Sequence, residues 1–528
     1  MKFPRGNPDQ VNTEAPLATG GWGRIKGEFR PGDIWIGRTE EGTPVGYHDD
    51  RHMVTIAGSR AGKGRSCIIP NLCLWPQSCV VIDPKGENAY HTAAPRARKA
   101  GHTVAVLDPF NESGVPEELK TTFNPLDLID DGRPDGNPDA IDDAALIADA
   151  LVVASDERDA HWDESARAFI EALILYVCAR ERPESGQRDL IRVRDLLMRG
   201  AVDIARRTKD LAEQREKPLS DSQIDPFAIL LNEMEHSTAF DGVIAGAAAA
   251  LRQIGERERG SILSTARRNT KFLDSPAMRA TLRRSAFDPA TLKTSPGGVS
   301  LYLCLPARRL ASHARWLRLV INLTLSRMEA LGKRDDGKPV LFVLDEFAVL
   351  GHMASLEKAA GLMAGYGVKL WTILQDLTQL QRHYEASWET FLGNAGLLQF
   401  FGNTDLTTLK HISERLGEVE IIRILENTSS TRQSGQSDMP ELQQLSARKQ
   451  HGLLGAFAKS ETPSESVSYS STQTESIQRS PLLTPEEVAR FFPRQGNWQA
   501  VFLAGFRPIA LKRTNYDEDA AFDGLFVP

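Results

Sequence analysis

The chain has 528 residues, 41% of them apolar and 25% charged, and its 63 basic and 70 acidic residues give a formal net charge of −7. This composition indicates a globular protein of about two to four domains, and it excludes a fibrous or mostly disordered chain and a globally basic nucleic-acid binder. No apolar stretch approaches the ~18–20 residues of a membrane helix. The N-terminus lacks the apolar core of a signal peptide. The five scattered cysteines predict small buried thiols in a reducing cytoplasm.

The first part of the chain predicts a parallel α/β sheet that follows a polar lead-in. Residues 1–32 are rich in Gly and Pro and predict a flexible segment, in which GGWGR is a candidate docking sequence. Apolar runs then predict strands at residues 53–57, 78–83 and 103–107, with helical patterns between them. Such alternation is typical of a parallel sheet that is covered on both faces.

The composition changes at about residue 127, where an all-α insertion is predicted to begin and to run to residue 285. Residues 127–164 contain 13 acidic and two basic residues, a pattern that suits recognition of a basic protein segment or, alternatively, a solubilising surface. Residues 252–284 contain nine basic and three acidic residues, which suits phosphate binding or, more simply, a solvated helix face.

Strand patterns resume in the second half of the chain, at residues 299–305, 340–344, 369–374 and 397–401. Residues 427–480 are rich in Ser, Thr and Gln and carry little apolar surface, so we expect a mobile insertion. Two further strands are predicted at residues 498–503 and 508–511.

A glycine-rich loop between the first of these strands and a helix has the form of a Walker A loop, with two departures. Ala57 takes the first glycine position, and Gly64 stands where a hydroxyl normally ligates Mg²⁺, so water or Ser66 would have to fill that place. Lys63 would reach the β- and γ-phosphates of ATP. The residues that we predict to contact the nucleotide are Gly58, Ser59, Arg60, Ala61, Gly62, Lys63, Gly64 and Arg65.

A matching Walker B motif is the apolar strand 340–344 followed by Asp345 and Glu346. We predict that Asp345 holds Mg²⁺ and that Glu346 is the general base for the attacking water. Gln375 ends a further strand and would orient that water, or sense the γ-phosphate, at the same sheet edge. Three residues after another strand would also face this edge, although two of them can instead form an ion pair with each other: Asp83, Lys85 and Glu87.

Several stretches together resemble the VirD4/TraG family of type IV secretion coupling proteins over almost the whole chain. They are GSRAGKG with IIPNLCLWPQSCVVIDPKGE, FNPLD, HWDESA, SILSTARRNTKFL, LFVLDEFAVLG, ILQDLTQL, FFGNTDLTTLKHISERLG and SPLLTPEEV. The resemblance implies an α/β, RecA-like P-loop NTPase with a mostly parallel central sheet and an inserted all-α domain, which uses ATP and Mg²⁺ and is a homo-hexamer when active. The implied organisation is a lead-in (1–32), a nucleotide-binding domain in three parts (33–126, 286–426 and 481–528), an all-α substrate-recognition domain (127–285) and the mobile insertion (427–480).

The resemblance also implies partners and a location. The cargo would be a relaxase with its single-stranded DNA, or protein effectors, delivered to a type IV secretion channel. The sequence resembles the branch without N-terminal transmembrane helices, which implies a cytoplasmic protein, or one held at the cytoplasmic face of the inner membrane by a separate anchor protein. An arginine finger from a neighbouring subunit is expected, and its candidates are Arg60, Arg267 and Arg268.

Two alternative functions stay open at the level of sequence. One is a cytosolic DNA translocase of the FtsK/HerA kind, which duplex DNA alone would stimulate. The other is a nucleotide-binding substrate adaptor with little turnover, which Gly64 and the unplaced arginine finger favour.

Overall fold

The computed structural model describes residues 20–23, 28–129, 139–153, 160–215, 220, 224–434 and 465–528. The chain divides into two compact units, a smaller one formed by Leu416–Leu482 with Gly20 and Gly21, and a larger one formed by Trp22–Arg415 and Leu483–Pro528. The described residues contain thirteen strands: β1 (Ile34–Arg38), β2 (Pro44–Tyr47), β3 (His52–Ala57), β4 (Cys79–Asp83), β5 (Thr103–Leu107), β6 (Val299–Cys304), β7 (Val340–Leu344), β8 (Val368–Leu374), β9 (Ala395–Phe401), β10 (Glu418–Ser434), β11 (Glu465–Pro481), β12 (Trp498–Leu503) and β13 (Ile509–Lys512).

The helices lie between these strands and dominate the second quarter of the chain. A short π-helical turn, Gly64–Ile68, leads into the first of them. The α-helices are α1 (Ile69–Leu74), α2 (Glu87–Ala97), α3 (Ala140–Leu151), α4 (Ala160–Arg180), α5 (Leu190–Arg199), α6 (Val202–Gln214), α7 (Pro226–Glu235), α8 (Val243–Gln253), α9 (Glu256–Asn269), α10 (Pro276–Leu282), α11 (Thr291–Thr294), α12 (Ala307–Leu331), α13 (Ala354–Leu362), α14 (Leu377–Tyr384), α15 (Trp388–Gly393), α16 (Leu406–Leu416) and α17 (Pro485–Phe491). None of these helices, within the part of the chain that is described, is both long enough and apolar enough to cross a membrane.

Eleven of the described strands form one sheet in the order β2-β1-β13-β12-β9-β3-β8-β7-β4-β6-β5. The seven strands from β9 to β5 are parallel, and β12, β13, β1 and β2 continue the sheet in antiparallel pairing. Every residue of β3, β4, β6, β7, β8 and β9 is buried, because helices cover both faces of the parallel part. The predicted mostly parallel α/β sheet is confirmed.

The core of the larger unit joins the first helices to the middle of the sheet. On one face, Ile68 and Leu72 pack with Met53 of β3, Val343 of β7 and Trp371 of β8. All five cysteines are buried and unpaired, as predicted: Cys67, Cys73, Cys79, Cys178 and Cys304. Strands β9, β3, β8 and β7 are parallel neighbours, so their carboxyl ends meet at one edge of this buried sheet.

Within residues 127–285, every regular element that the structure describes is helical, from α3 to α10. Helix α3 packs against α12 and α4, and α4 packs against α9. The bounds and the role of the all-α domain remain predictions. The basic stretch at 252–284 is partly neutralised by ion pairs such as Arg252–Glu235, at 2.9 Å between Nε and Oε1.

The structure corrects the expectation that residues 427–480 are unordered throughout. Residues 427–434 and 465–480 belong to strands β10 and β11, which pair along their whole length as an antiparallel two-stranded sheet; the middle of the predicted insertion, 435–464, lies outside the described residues. Pairing of main-chain groups does not require apolar side chains, so the composition alone was misleading. In the lead-in, Trp22 is buried against Phe492, at 6.1 Å between ring centroids, whereas residues 1–19 and 24–27 lie outside the described residues.

Candidate nucleotide-binding site

The Walker A loop leaves β3 through a very close backbone approach and then turns twice into the left-handed region. A Cβ at Gly58 would lie 1.9 Å from the carbonyl oxygen of Gly402, so only glycine fits at that position. Arg60 has φ 56° and Gly62 has φ 85°. A Cβ at Gly64 would meet nothing within 4 Å, so the space in front of the loop is open. The sequence thus forms a concave main-chain loop of the kind that binds anions.

The helical turn after the loop presents main-chain amides toward this open space. The N–H and the hydroxyl of Ser66 both donate to the carbonyl of Gly62, at 2.8 and 2.9 Å, which begins the turn. Amides in the first turn of a helix have no acceptor within the helix, and the helix dipole adds partial positive charge there. The loop and turn therefore fit a phosphate group.

Lys63 lies between the two carboxylates of the Walker B motif. Its Nζ is 2.9 Å from Oε1 of Glu346 and 3.2 Å from Oδ1 of Asp345. Burial opposes the charge of Lys63, but the two neighbouring carboxylates raise its pKa nonetheless. Burial raises the pKa of the Asp345 carboxyl, and the Lys63 ammonium partly offsets that rise. The structure thus brings together the three residues that the sequence placed at this edge.

Gln375 extends the cluster from the end of β8. Its side-chain Nε2 donates to Oε2 of Glu346 at 3.2 Å, and its main-chain carbonyl accepts from Nδ2 of Asn403 at 3.2 Å. The main chain of Glu346 is left-handed, with φ 53°, a costly conformation for a non-glycine residue that is typical of functional turns. Asn403, which sequence reasoning missed, is buried, and its Oδ1 has no hydrogen-bond partner among the described residues.

The three charged residues after β4 separate into two environments. Asp83 is buried at the strand end and accepts from the N–H of Ala89 at 2.8 Å, and its burial raises the pKa of its carboxyl to about 7. The charge of the neighbouring Asp345 adds to that rise. Lys85 and Glu87 are exposed and lie 3.9 Å apart, so the ion pair that the sequence left open is present.

Some predicted contacts are not part of the cluster. Ser59 and Arg60 are exposed, and Arg65 turns away from the loop to pair with Asp517 and Glu518, at 2.7 Å in each case. The Ser66 hydroxyl is buried and bonded to Gly62, so it is not free to replace the missing Mg²⁺ ligand.

The arginine-finger candidates on α9 are held within the chain. Arg267 donates from Nε to the carbonyl of Leu197 at 3.2 Å. Arg268 lies 3.8 Å from Asp163. The identity of an arginine finger therefore stays unassigned.

Two arginines from the C-terminal part reach the Walker A loop. Arg494 donates from Nε to the carbonyl of Arg60 at 3.2 Å, and Arg513 donates from Nη1 to the carbonyl of Ala61 at 2.6 Å. Sequence reasoning missed both, because more than 400 residues separate each pair and no spacing pattern connects them. The sequence offered one signal for Arg513, the predicted strand at 508–511, which ends two residues before it.

The residues present fit a nucleotide with Mg²⁺. Lys63 and the loop amides suit phosphate oxygens, and the carboxylate oxygens of Asp345 are ligands that Mg²⁺ prefers. No group of three or more His, Cys, Asp or Glu side chains in the described ranges could hold a metal by itself.

Comparisons with known proteins point to one family. The family model described as type IV secretory system, conjugative DNA transfer, matches residues 3–524. Conjugal transfer protein TraG of Escherichia coli is 25% identical over 490 residues, which cover 89% of this chain and 68% of that protein. The type IV secretion system-coupling protein VirD4 of Bartonella quintana is 26% identical over 378 residues, or 70% of this chain and 53% of that protein.

A solved structure of plasmid coupling protein TrwB, in complex with ADP and Mg²⁺, has the same fold. It superposes with a TM-score of 0.57 at 14% identity and covers 96% of this chain and 93% of that one. Since the family model spans nearly the whole sequence, this chain belongs to the family of type IV secretory system proteins for conjugative DNA transfer, and it has the RecA-like α/β fold of the coupling proteins.

Proposed function

We propose that this coupling protein binds and hydrolyses ATP and uses that cycle to bring cargo to a type IV secretion channel. The observation that supports it most directly is the placement of Lys63 against both Asp345 and Glu346, beside an open anion-binding loop. In this position, the phosphates of a bound nucleotide can replace the two carboxylates as the partners of Lys63. The complex of TrwB with ADP and Mg²⁺ supports the same assignment.

Each residue then has a defined task at the site. Lys63 Nζ and the amides of the loop bind phosphate oxygens, and Asp345 holds Mg²⁺, which when bound neutralises phosphate charge. The Glu346 carboxylate accepts the proton of the attacking water at one of its Oε atoms. The Gln375 amide, which already contacts Glu346 at 3.2 Å, keeps that carboxylate oriented.

The cargo that we propose is a relaxase with its single-stranded DNA, or protein effectors. The all-α domain recognises it, and the acidic residues 127–164 attract its basic segments. Further partners are the components of the secretion channel, and a separate membrane protein anchors the chain at the cytoplasmic face of the inner membrane. The active form is a homo-hexamer, in which a neighbouring subunit supplies an arginine finger to the site.

The test is ATP hydrolysis by the full chain over a wide range of protein concentration, without DNA, with single-stranded DNA and with duplex. We expect a rate that rises steeply with concentration and with single-stranded DNA. Glu346→Gln should still bind nucleotide and should lose hydrolysis by at least about a hundredfold. Glu414→Gln, an exposed carboxylate on α16, is the matched control and should keep the rate.

Other outcomes would identify the alternatives. Nucleotide binding with no turnover at any concentration would mark a substrate adaptor. Stimulation by duplex alone would mark a translocase of the FtsK/HerA kind. Hydrolysis by Glu346→Gln at the wild-type rate would remove the general-base assignment.

A further inference from the structure

Arg513 lies directly behind the Walker A loop, although it comes from the last strand of the chain. It follows β13, and its main-chain N–H donates to the carbonyl of Asn497 at 2.6 Å, which fixes its backbone. The guanidinium lies over the ring of Phe401, at 4.2 Å from the centroid, and Nη2 donates to the carbonyl of Gly496. The side chain is thus held on two sides before it reaches the loop.

Two hydrogen bonds from Nη1 of Arg513 connect it to the loop. One goes to the carbonyl of Ala61 at 2.6 Å and the other to the hydroxyl of Ser66 at 3.2 Å. The same Ser66 hydroxyl donates to the carbonyl of Gly62 at 2.9 Å. Arg513 therefore holds the carbonyl of Ala61 directly, and it reaches the carbonyl of Gly62 only through the hydroxyl of Ser66, whose main-chain N–H donates to that carbonyl as well.

These carbonyls determine where the phosphate-binding amides point. In a trans peptide the C=O and the following N–H point in opposite directions, and the described residues contain no cis bond. A carbonyl of Ala61 that faces Arg513 turns the Gly62 N–H to the other side. Likewise, a carbonyl of Gly62 that faces Ser66 turns the Lys63 N–H away from the helix, toward the open space. Arg513 thereby sets the direction of the Gly62 amide. The direction of the Lys63 amide is set mainly by the main-chain N–H of Ser66, which donates to the Gly62 carbonyl at 2.8 Å, and the Ser66 hydroxyl that Arg513 contacts adds a second donor.

The charge of Arg513 is uncompensated. Among the described residues, no carboxylate acts on its guanidinium, and its Nε is buried without a hydrogen-bond partner. Burial lowers the pKa of the guanidinium, which reflects this poor solvation. Arg65, by contrast, lies on the helical turn that contains Ser66, and its charge is neutralised by Asp517 and Glu518. A desolvated cation behind the loop favours a polyanion in front of it.

We propose that Arg513 is a positioning residue for nucleotide binding: it presets the Walker A amides through Ala61 and Ser66 and supplies positive charge behind them. The inference rests on the proposed function, since it assigns how the same site takes a nucleoside diphosphate or triphosphate. Ser66 has the role of a relay to the Gly62 carbonyl instead of a metal ligand.

The test measures the Kd for ADP with Mg²⁺, and the kcat and KM for ATP, in the full chain. Arg513→Met should raise the Kd and the KM by roughly tenfold, because a preset charged donor is lost. Its kcat at saturating ATP should stay within about threefold, because Lys63 and Glu346 are untouched. A merely structural role would instead lower the active fraction, and hence kcat, without changing KM.

Three further variants sharpen the test. Arg513→Lys keeps the charge but loses the fork, so its Kd should lie between those of the wild type and Arg513→Met. Ser66→Ala removes only the relay and should raise the Kd about threefold. Lys512→Met, at the neighbouring position of β13, is the control and should bind ADP as the wild type does.

Each result decides the matter. Wild-type affinity in Arg513→Met would overturn the inference and leave the proposed function standing, whereas failure of the wild type to bind ADP would overturn both. If Arg513→Met does not fold, unchanged affinity in both Arg513→Lys and Ser66→Ala would overturn the inference, and graded losses in the two would support it.

Discussion

Two lysines at opposite edges of the parallel sheet have opposite kinds of partner. At the carboxyl edge, Lys63 meets the side-chain carboxylates of Asp345 and Glu346. At the amino edge, the Nζ of Lys293 donates to three main-chain carbonyls, those of Met328 and Tyr366 at 2.6 Å and that of Gly332. The first cation has partners that a ligand can replace, whereas the second holds the fold together.

Arg96 repeats the pattern of the amino edge. Its guanidinium is buried and donates to the carbonyls of Leu72 at 2.5 Å, Trp75 at 2.6 Å and Gln77 at 3.0 Å, where α1 ends and the chain enters β4. The last carbonyls of a helix lack partners and carry partial negative charge. Helices that connect parallel strands end at the amino edge and begin at the carboxyl edge. Lys293 and Arg96 are thus structural at the amino edge, whereas Lys63 at the carboxyl edge is available for a ligand.

The largest effect that would test this contrast is expected from Lys63→Met. Hydrolysis of ATP should fall by at least about a hundredfold, because the only lysine at the phosphate site among the described residues is lost. The urea midpoint of unfolding should change little, since the two carboxylates left behind face the open edge and can be hydrated. The measurements are steady-state hydrolysis and urea unfolding followed by circular dichroism.

Lys410→Met, on the exposed surface of α16, is the control for this change and should alter neither quantity. A Lys63→Met protein that hydrolyses ATP like the wild type would show that the lysine is no more than an ion-pair partner.

The reverse outcome is expected for Lys293→Met at the amino edge. Three buried carbonyls lose their donor, so the free energy of unfolding should fall by about 3 kcal/mol or more. The folded fraction should bind ADP with unchanged Kd, because Lys293 lies at the opposite edge from the loop. Urea unfolding and ADP titration in the same buffer measure both effects.

Lys333→Met serves as the matched control, since Lys333 is exposed on the adjacent loop. A loss of nucleotide affinity in Lys293→Met at full stability would contradict the division between the two edges.

The same contrast explains which features the sequence could predict. The strands at 340–344 and 498–503 have the predicted bounds, because both are short and mostly apolar runs. The cluster of Lys63, Asp345 and Glu346 followed from parallel strands that end at one edge. Main-chain partners leave no such pattern, which is why Arg513 and the pairing of β10 with β11 were missed.

The sequence suggested Ser66 as a metal ligand because it does not show the main-chain partner of its hydroxyl. Its hydroxyl sits one turn into the helix, where a serine readily donates back to the carbonyl four residues earlier, here that of Gly62. Residue type and spacing indicate what a side chain can bind, but they do not show whether the main chain already occupies it.

The smallest expected effect is a pH dependence of stability at the amino edge, where His102 precedes β5. Its ring contacts the carbonyl of Gly297 through Nδ1 at 2.9 Å and the hydroxyl of Ser300 through Nε2 at 2.8 Å, an arrangement that suits a neutral ring. Burial and the nearby positive charges of Arg96 and Lys99 lower the pKa of His102 to about 4. Its pKa in the unfolded chain is about 6.5.

Between pH 6.5 and pH 4 the unfolded chain therefore binds more protons at this position than the folded chain does. The free energy of unfolding should fall as the pH is lowered through that window, and His102→Gln, which does not titrate there, should show a shallower fall even if it starts from lower stability. Urea unfolding at pH 7.5, 6, 5 and 4.5 gives the slopes, with exposed His236→Gln as the control. Equal slopes in the wild type and His102→Gln would mean that the ring of His102 accepts a proton without a loss of stability. The amino edge would then tolerate a new positive charge, which would contradict its assignment as a purely structural edge.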